Sequence, residues 1–234
     1  MPESYRRRRL ITVLISLTAL TIILILNGSF AKPTQTITPV SPASTANGSL
    51  ALSSLQELAV KGRAPKTEYS REQFGSGWVT TNGCDTRNII LHRDLTETQV
   101  DEKCNVVSGT LQDPYTGKII QFKRGSGTSD AIQIDHVVAL SDAWQKGAQQ
   151  LTKDQRIALA NDPLELLAVD GPSNQQKSDG DAATWLPPYK PFRCQYVARQ
   201  IAVKQKYNLW ITQAEKDAIV GILNGCPVQT LPVK

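Results

Sequence analysis

Four consecutive arginines, Arg6 to Arg9, are followed by an apolar run without a single charge, Leu10 to Leu26, LITVLISLTALTIILIL. This pairing decides the compartment in which the rest of the chain folds. A basic flank before an uncharged stretch of about 17 residues reads as an export signal. Asn27-Gly28-Ser29-Phe30-Ala31 then ends in small residues that suit cleavage after Ala31. Residues 1–31 are therefore expected to be a signal peptide, or a signal anchor if they are retained. The arginines stay on the cytoplasmic side on either reading. The remainder is then secreted, or displayed on the extracellular face, and meets a membrane only through this segment. A buried core helix is a poor alternative, because every face of the run is apolar and its flank is so basic.

Export makes the cysteines informative. Cys84, Cys104, Cys194 and Cys226 all lie beyond the signal, and an even number in an oxidising compartment points to disulfides. Four cysteines allow three pairings. Cys84–Cys104 with Cys194–Cys226 is favoured, since these two close local loops. A zinc site would need close pairs such as C-x-x-C, and the sequence has none.

Residues 32–49, KPTQTITPVSPASTANGS, contain almost no large apolar side chain and cannot bury enough surface to offset their ordering entropy. They are expected to be a disordered linker ahead of a single domain, residues 50–234. The formal net charge is +5, but residues 1–31 hold +3 of it and leave only +2 for the rest. A mildly basic domain can bind phosphate backbones through a local patch, and its net charge does not establish that it does.

Within the domain, Leu52, Leu55, Leu58 and Ala59 fall at helical spacing, and Lys61-Gly62 is the expected stop. Residues 64–125 are dense in turn formers, with a short strand in YTGKIIQFKR. AIQIDHVVAL predicts a strand ending near His136. ALSDAWQKGAQQL and KDQRIALAND predict helices, with Trp144 and Leu151 as core contacts. LELLAV at 164–169 predicts another strand. Gly171-Pro172 opens a helix with proline at its first position, where the missing N–H does least harm. A last helix is expected over 213–223. The predicted class is α+β.

Two segments carry chemistry: Ile134-Asp135-His136-Val137-Val138, and Ser173-Asn174-Gln175-Gln176-Lys177-Ser178-Asp179. The first sets a carboxylate beside an imidazole at a strand end. Neighbouring strand residues face opposite ways, unless a turn or bulge lets both reach one site. The second puts Asn174 in the first turn of a helix, with Lys177 three residues on along the same face. The order is strand with Asp-His, second strand, helix with Asn.

With that order, IDHVVAL…LELLAV…SNQQKSD resembles the HNH, or ββα-metal, endonucleases. It is most similar to an exported branch related to the C-terminal nuclease domain of Gmr-type modification-dependent restriction enzymes. There the resemblance also takes in KGRAPKTEYSREQFGSGW, GCDTRNIILHRDL, DAATWLPP and RCQYVARQIAVKQKY, and so covers nearly all of residues 50–226. It implies a ββα-metal hairpin and helix with additional helices. It implies His136 as the general base, Asp135 as a metal-ligating carboxylate and Asn174 as the helix-borne ligand, with Mg²⁺ or Mn²⁺ as the ion. It further suggests Lys177 for a flanking phosphate and Asp179 for orienting a water or a ligand. Many HNH sequences carry an asparagine where this chain has Glu165. Its carboxylate or its backbone carbonyl is expected to hold the histidine instead.

Plainer readings stand beside several of these residues. Arg87 and Asn88 suit phosphates or the site carboxylate, and turn-stabilising bonds beside a disulfide equally well. His92 suits a solvated loop or strand, and Trp185 the core. Arg199 and Lys206 share a helix face that is either solvated or a phosphate track. The expected function is an exported metal-dependent endonuclease acting on DNA, with RNA as an alternative substrate. No protein partner is implied. The competing hypothesis is a catalytically silent, disulfide-stabilised module that binds nucleic acid or a surface. A serine hydrolase or zinc peptidase is disfavoured, since neither G-x-S-x-G nor H-E-x-x-H occurs.

Overall fold

The computed structural model describes residues 49–232, which fall within one compact unit. The signal or anchor of 1–31 and the linker as far as residue 48 lie outside the described residues. Among those described, seven α-helices surround three small antiparallel sheets, and no helix is long and apolar enough to cross a membrane.

The pair that matters for the site is β6 (Ile132–His136) with β7 (Leu166–Asp170), registered so that Asp135 faces Leu167 and His136 faces Leu166. Both strands are almost wholly buried; β7 reads accordingly as an apolar run, while β6 buries Asp135 and His136 beside Ile132 and Ile134. The chain leaves β7 directly into helix α5 (Gly171–Lys177). Asp170 caps that helix, accepting from the backbone N–H of Ser173 at 2.9 Å and from its hydroxyl at 2.7 Å. Gly171 is required by close approach: a Cβ there would stand 2.0 Å from the backbone oxygen of Asp130. The predicted strand–strand–helix order is thus present.

Between β6 and β7 run α3 (Leu140–Gln145) and α4 (Lys153–Ala160), the latter opened by a capping box from Thr152 and Gln155. Two further helices, α6 (Arg193–Lys206) and α7 (Gln213–Leu223), pack with α1 (Ala51–Glu57) around Leu55, Trp144, Tyr196, Val197, Ile201 and Ile219. A second apolar cluster joins α2 (Thr86–Asp94) to the sheet β3 (Leu95–Val100), β4 (Val106–Gln112) and β5 (Ile119–Lys123) and to the inner face of β6 and β7. A two-residue pair, β1 (Thr80–Thr81) with β2 (Cys84–Asp85), leads into α2.

Disulfides join Cys84 to Cys104 and Cys194 to Cys226, the pairing favoured from the sequence. The first ties the start of α2 to the β3–β4 turn, and the second ties the start of α6 to the end of α7.

Two elements depart from expectation. Helix α1 stops at Glu57, four residues before Lys61-Gly62, because Val60 leaves to pair in parallel with Ile211. Residues 86–94, expected as turn and loop, form α2, whose N-terminus is capped by Asp85 accepting from the Asn88 N–H at 2.7 Å.

One feature had no sequence signal. Lys146 is fully buried and bonds three carboxylates: Asp142 at 2.8 Å, Asp181 at 2.8 Å and Glu215 at 2.6 Å. Lys204, also fully buried, reaches Glu215 at 3.1 Å, and Arg63 closes the set on Asp142 and Asp181. Three cations therefore balance three acids across α3, α6, α7 and the loops beside them. Burial works against the charged form of Lys146, and the surrounding carboxylates overcome it and raise its pKa.

Candidate functional site

Asp135 and His136 are the last two residues of β6, and α5 begins where β7 ends alongside it. A cavity of about 400 Å³ opens there, lined by Asp135, His136, Asn174, Asp179, Ser141 and Arg71 among others. The strand end lets two adjacent side chains reach one space, as the sequence required.

The His136 ring is buried and fixed on two sides. Its Nε2 lies 2.9 Å from the carbonyl oxygen of Ala160, the last residue of α4. A carbonyl can only accept, so Nε2 carries the proton and Nδ1 keeps the basic lone pair. Trp78 stacks on the ring, centroids 5.7 Å apart and planes 9° from parallel. Burial pushes the imidazole pKa down to about 3 against the pull of the Ala160 carbonyl, and the charges of Arg71 and Lys177 add to the depression. The ring is neutral at pH 7.

Asp135 is held as firmly. One oxygen accepts from the Lys177 ammonium at 2.8 Å and the other from the Tyr115 hydroxyl. Burial raises its pKa even against the Lys177 cation. Tyr115 is placed by the β4–β5 turn. Asp113 accepts from the Asp170 N–H at 2.9 Å, joining that turn to the head of α5, and Gly117 supplies the positive φ of +73° that the turn needs. Trp185 and Tyr196 pack edge-on against the Tyr115 ring. Asn174 donates to Gln133 at 2.9 Å, which anchors α5 to β6 and leaves the amide oxygen without a protein partner among the described residues.

Several expectations change. Lys177 is buried, bonded to Asp135 and to the His136 carbonyl at 2.7 Å, so it is a counter-charge inside the site and not a grip for a flanking phosphate. Glu165 does not touch the histidine. Its carbonyl accepts from Val137 N–H and its carboxyl from Val138 N–H, and the bond expected of it is made by Ala160. Arg87 donates to the carbonyls of Ser129 and Ile132, supporting the start of β6 away from the cavity. Asn88 joins α2 to β4 by accepting from Val106 N–H. Asp179 stands at the cavity rim, bonded to Lys66 at 3.0 Å and Ser141 at 3.1 Å. Arg199 bonds the carbonyl of Leu164 and Lys206 pairs with Asp162, so that helix face grips a neighbouring turn.

Sequence reasoning missed Ala160, Tyr115, Trp78 and Arg71. Ala160 acts through its main chain and leaves no trace in its side chain. Tyr115 and Trp78 sit in a turn and in a glycine-rich stretch, DPYTG and FGSGW, and nothing local marks them as neighbours of Asp135 and His136.

Among the described residues no cluster of three or more histidines, cysteines or carboxylates is assembled for a metal. The available donors are lone pairs of Asp135 and the amide oxygen of Asn174. A set of few oxygen ligands fits a hard divalent cation that keeps most of its coordination for water and phosphate, and fits zinc poorly.

A neutral, oriented imidazole in the wall of a cavity that it shares with a carboxylate and an amide oxygen is suited to taking a proton from a water held there. The chain belongs to the family described as GmrSD restriction endonucleases, C-terminal domain, which it matches over residues 85–222. That membership points to a nuclease-type hydrolase. An uncharacterized secreted protein of Arthroderma benhamiae is 40% identical over 188 residues, 79% of this chain and 89% of the relative. No solved structure gives a significant match. The secreted relative and the two disulfides fit an extracellular location.

Proposed function

We propose that the protein is an exported, metal-dependent HNH endonuclease that hydrolyses phosphodiester bonds of DNA, with RNA as a further substrate. In this reading β6, β7 and α5 are the ββα-metal core. The observation that carries it is that Asp135, His136 and Asn174 line one cavity, with the His136 ring neutral and turned so that Nδ1 is the basic nitrogen. His136 takes the proton from the attacking water through Nδ1. The Ala160 carbonyl fixes the tautomer and accommodates the positive charge the ring gains. Lys177 and Tyr115 hold the Asp135 carboxylate in place. Asp135 and Asn174 would hold Mg²⁺ or Mn²⁺, which when bound stabilises negative charge on the phosphate oxygens.

The test is nicking of supercoiled plasmid by the purified protein with Mg²⁺ or Mn²⁺, with and without excess EDTA. Cleavage that stops on chelation is expected, and His136→Ala should lower the rate by about 10²–10⁴-fold. Undiminished cleavage in EDTA, or a fully active His136→Ala, would refute the mechanism. A catalytically silent binding module is the second reading. It is favoured by one observation, that both oxygens of Asp135 already have protein partners. Plasmid binding with no cleavage under any divalent ion would select it.

A further inference from the structure

The cation expected to meet the substrate's phosphate, Lys177, is consumed inside the site. Lys66, at the cavity wall, is paired with Asp179. One other positive side chain lines this cavity, Arg71, the first residue of a short 3-10 turn, Arg71–Phe74. Arg71 is exposed and makes no hydrogen bond or ion pair among the described residues. It also lines a second cavity of about 300 Å³, with Glu72, Phe74, Gly75, Ser76, Trp78 and Asn161 among its walls. The two cavities share Arg71, His136 and Leu140.

We propose that Arg71 is the phosphate-binding residue of this site, and that the substrate strand passes His136 from one cavity into the other with its scissile phosphodiester under the Arg71 guanidinium. This rests on the nuclease reading above. A phosphodiester is a singly charged anion with two free oxygens, and a guanidinium offers paired N–H donors that match them. An arginine with no internal partner gives up no ion pair when it binds one. The second cavity gives the adjoining nucleoside a place to go. Its Gly75–Gly77 stretch exposes backbone, and its Trp78 wall is half-buried with one face already taken by His136.

Fluorescence anisotropy of a labelled single-stranded DNA oligonucleotide tests this in a His136→Ala background, where binding is read without cleavage. Adding Arg71→Ala should weaken binding about 10-fold or more. It should also reduce the slope of log affinity against log salt by about 0.7, the value of one phosphate contact on a single strand. Arg71→Lys should restore the slope and only part of the affinity, since an ammonium lacks the paired donors. In the otherwise native protein, plasmid nicking should fall in parallel. If the parent nicks plasmid while affinity and slope are unchanged by Arg71→Ala, Arg71 is not the phosphate residue and the nuclease reading survives. If the parent neither nicks plasmid nor binds the oligonucleotide, the nuclease reading fails and this proposal falls with it.

Discussion

Glu165 shows how far a single residue can be from its expected part. It is fully buried, one carboxyl oxygen accepts from Val138 N–H at 3.2 Å, and the other has no partner. Burial drives its pKa well above the usual 4.5, and the nearby Asp135 charge adds to the rise while Lys177 and Lys204 oppose it. The folded protein therefore keeps a proton here that the unfolded chain releases above its ordinary carboxylate pKa. Stability from this group is complete below that pKa and is lost as pH rises toward the folded value. Glu165→Gln keeps the shape and cannot ionise. Its melting temperature should gain on that of the parent as pH rises from about 4.5 to 8, measured by calorimetry. A difference that stays constant with pH would show that Glu165 is charged in the fold.

At the scale of elements, β6, β7, α5 and α7 were legible because their signals are local. Strand β7 is an apolar run, β6 is marked by β-branched residues leading into Val137-Val138, Gly171-Pro172 marks a helix start, and the 213–223 segment keeps a helical pattern. Helix α2 was not legible, since Asp85, Thr86 and Asn88 are turn formers that here act as a cap and as partners to a distant strand. That Asp135, His136 and Asn174 share a site was an expectation carried by the resemblance of their segments, and the three do line one cavity. The supports of that site were not legible, because Ala160 and Tyr115 reach it only through tertiary packing. The head of α5 offers a sharp test. Gly171→Ala places a methyl group against the Asp130 backbone, which cannot swing aside as a side chain would. A loss of about 2–4 kcal/mol in urea unfolding is expected, with a fall in cleavage as Asn174 shifts. Asp170→Ala removes only a cap and should cost about 1 kcal/mol. Equal costs for the two would mean that the close approach at Gly171 is not a constraint.

For the whole molecule, two long-range devices hold the helices around the site: the six-charge network, buried except for Arg63, and the two disulfides. The disulfides span 20 and 32 residues of sequence. Loop entropy alone assigns each about 3–4 kcal/mol. Cys194→Ala with Cys226→Ala should therefore shift the denaturation midpoint strongly, and reduction of the parent, which opens both bonds, should shift it further. An unchanged midpoint after both treatments would show that the bonds are ornamental to the fold. Each bond also has one cysteine outside the 85–222 stretch that matches the family, so both fasten the edges of that stretch to its interior. Together their contribution is comparable with the whole margin of an ordinary domain, about 5–15 kcal/mol. Such bonds close only in an oxidising compartment. For the exported nuclease proposed above, maturation would then be timed by departure: the cell that makes it is spared its activity until the chain has left the reducing compartment.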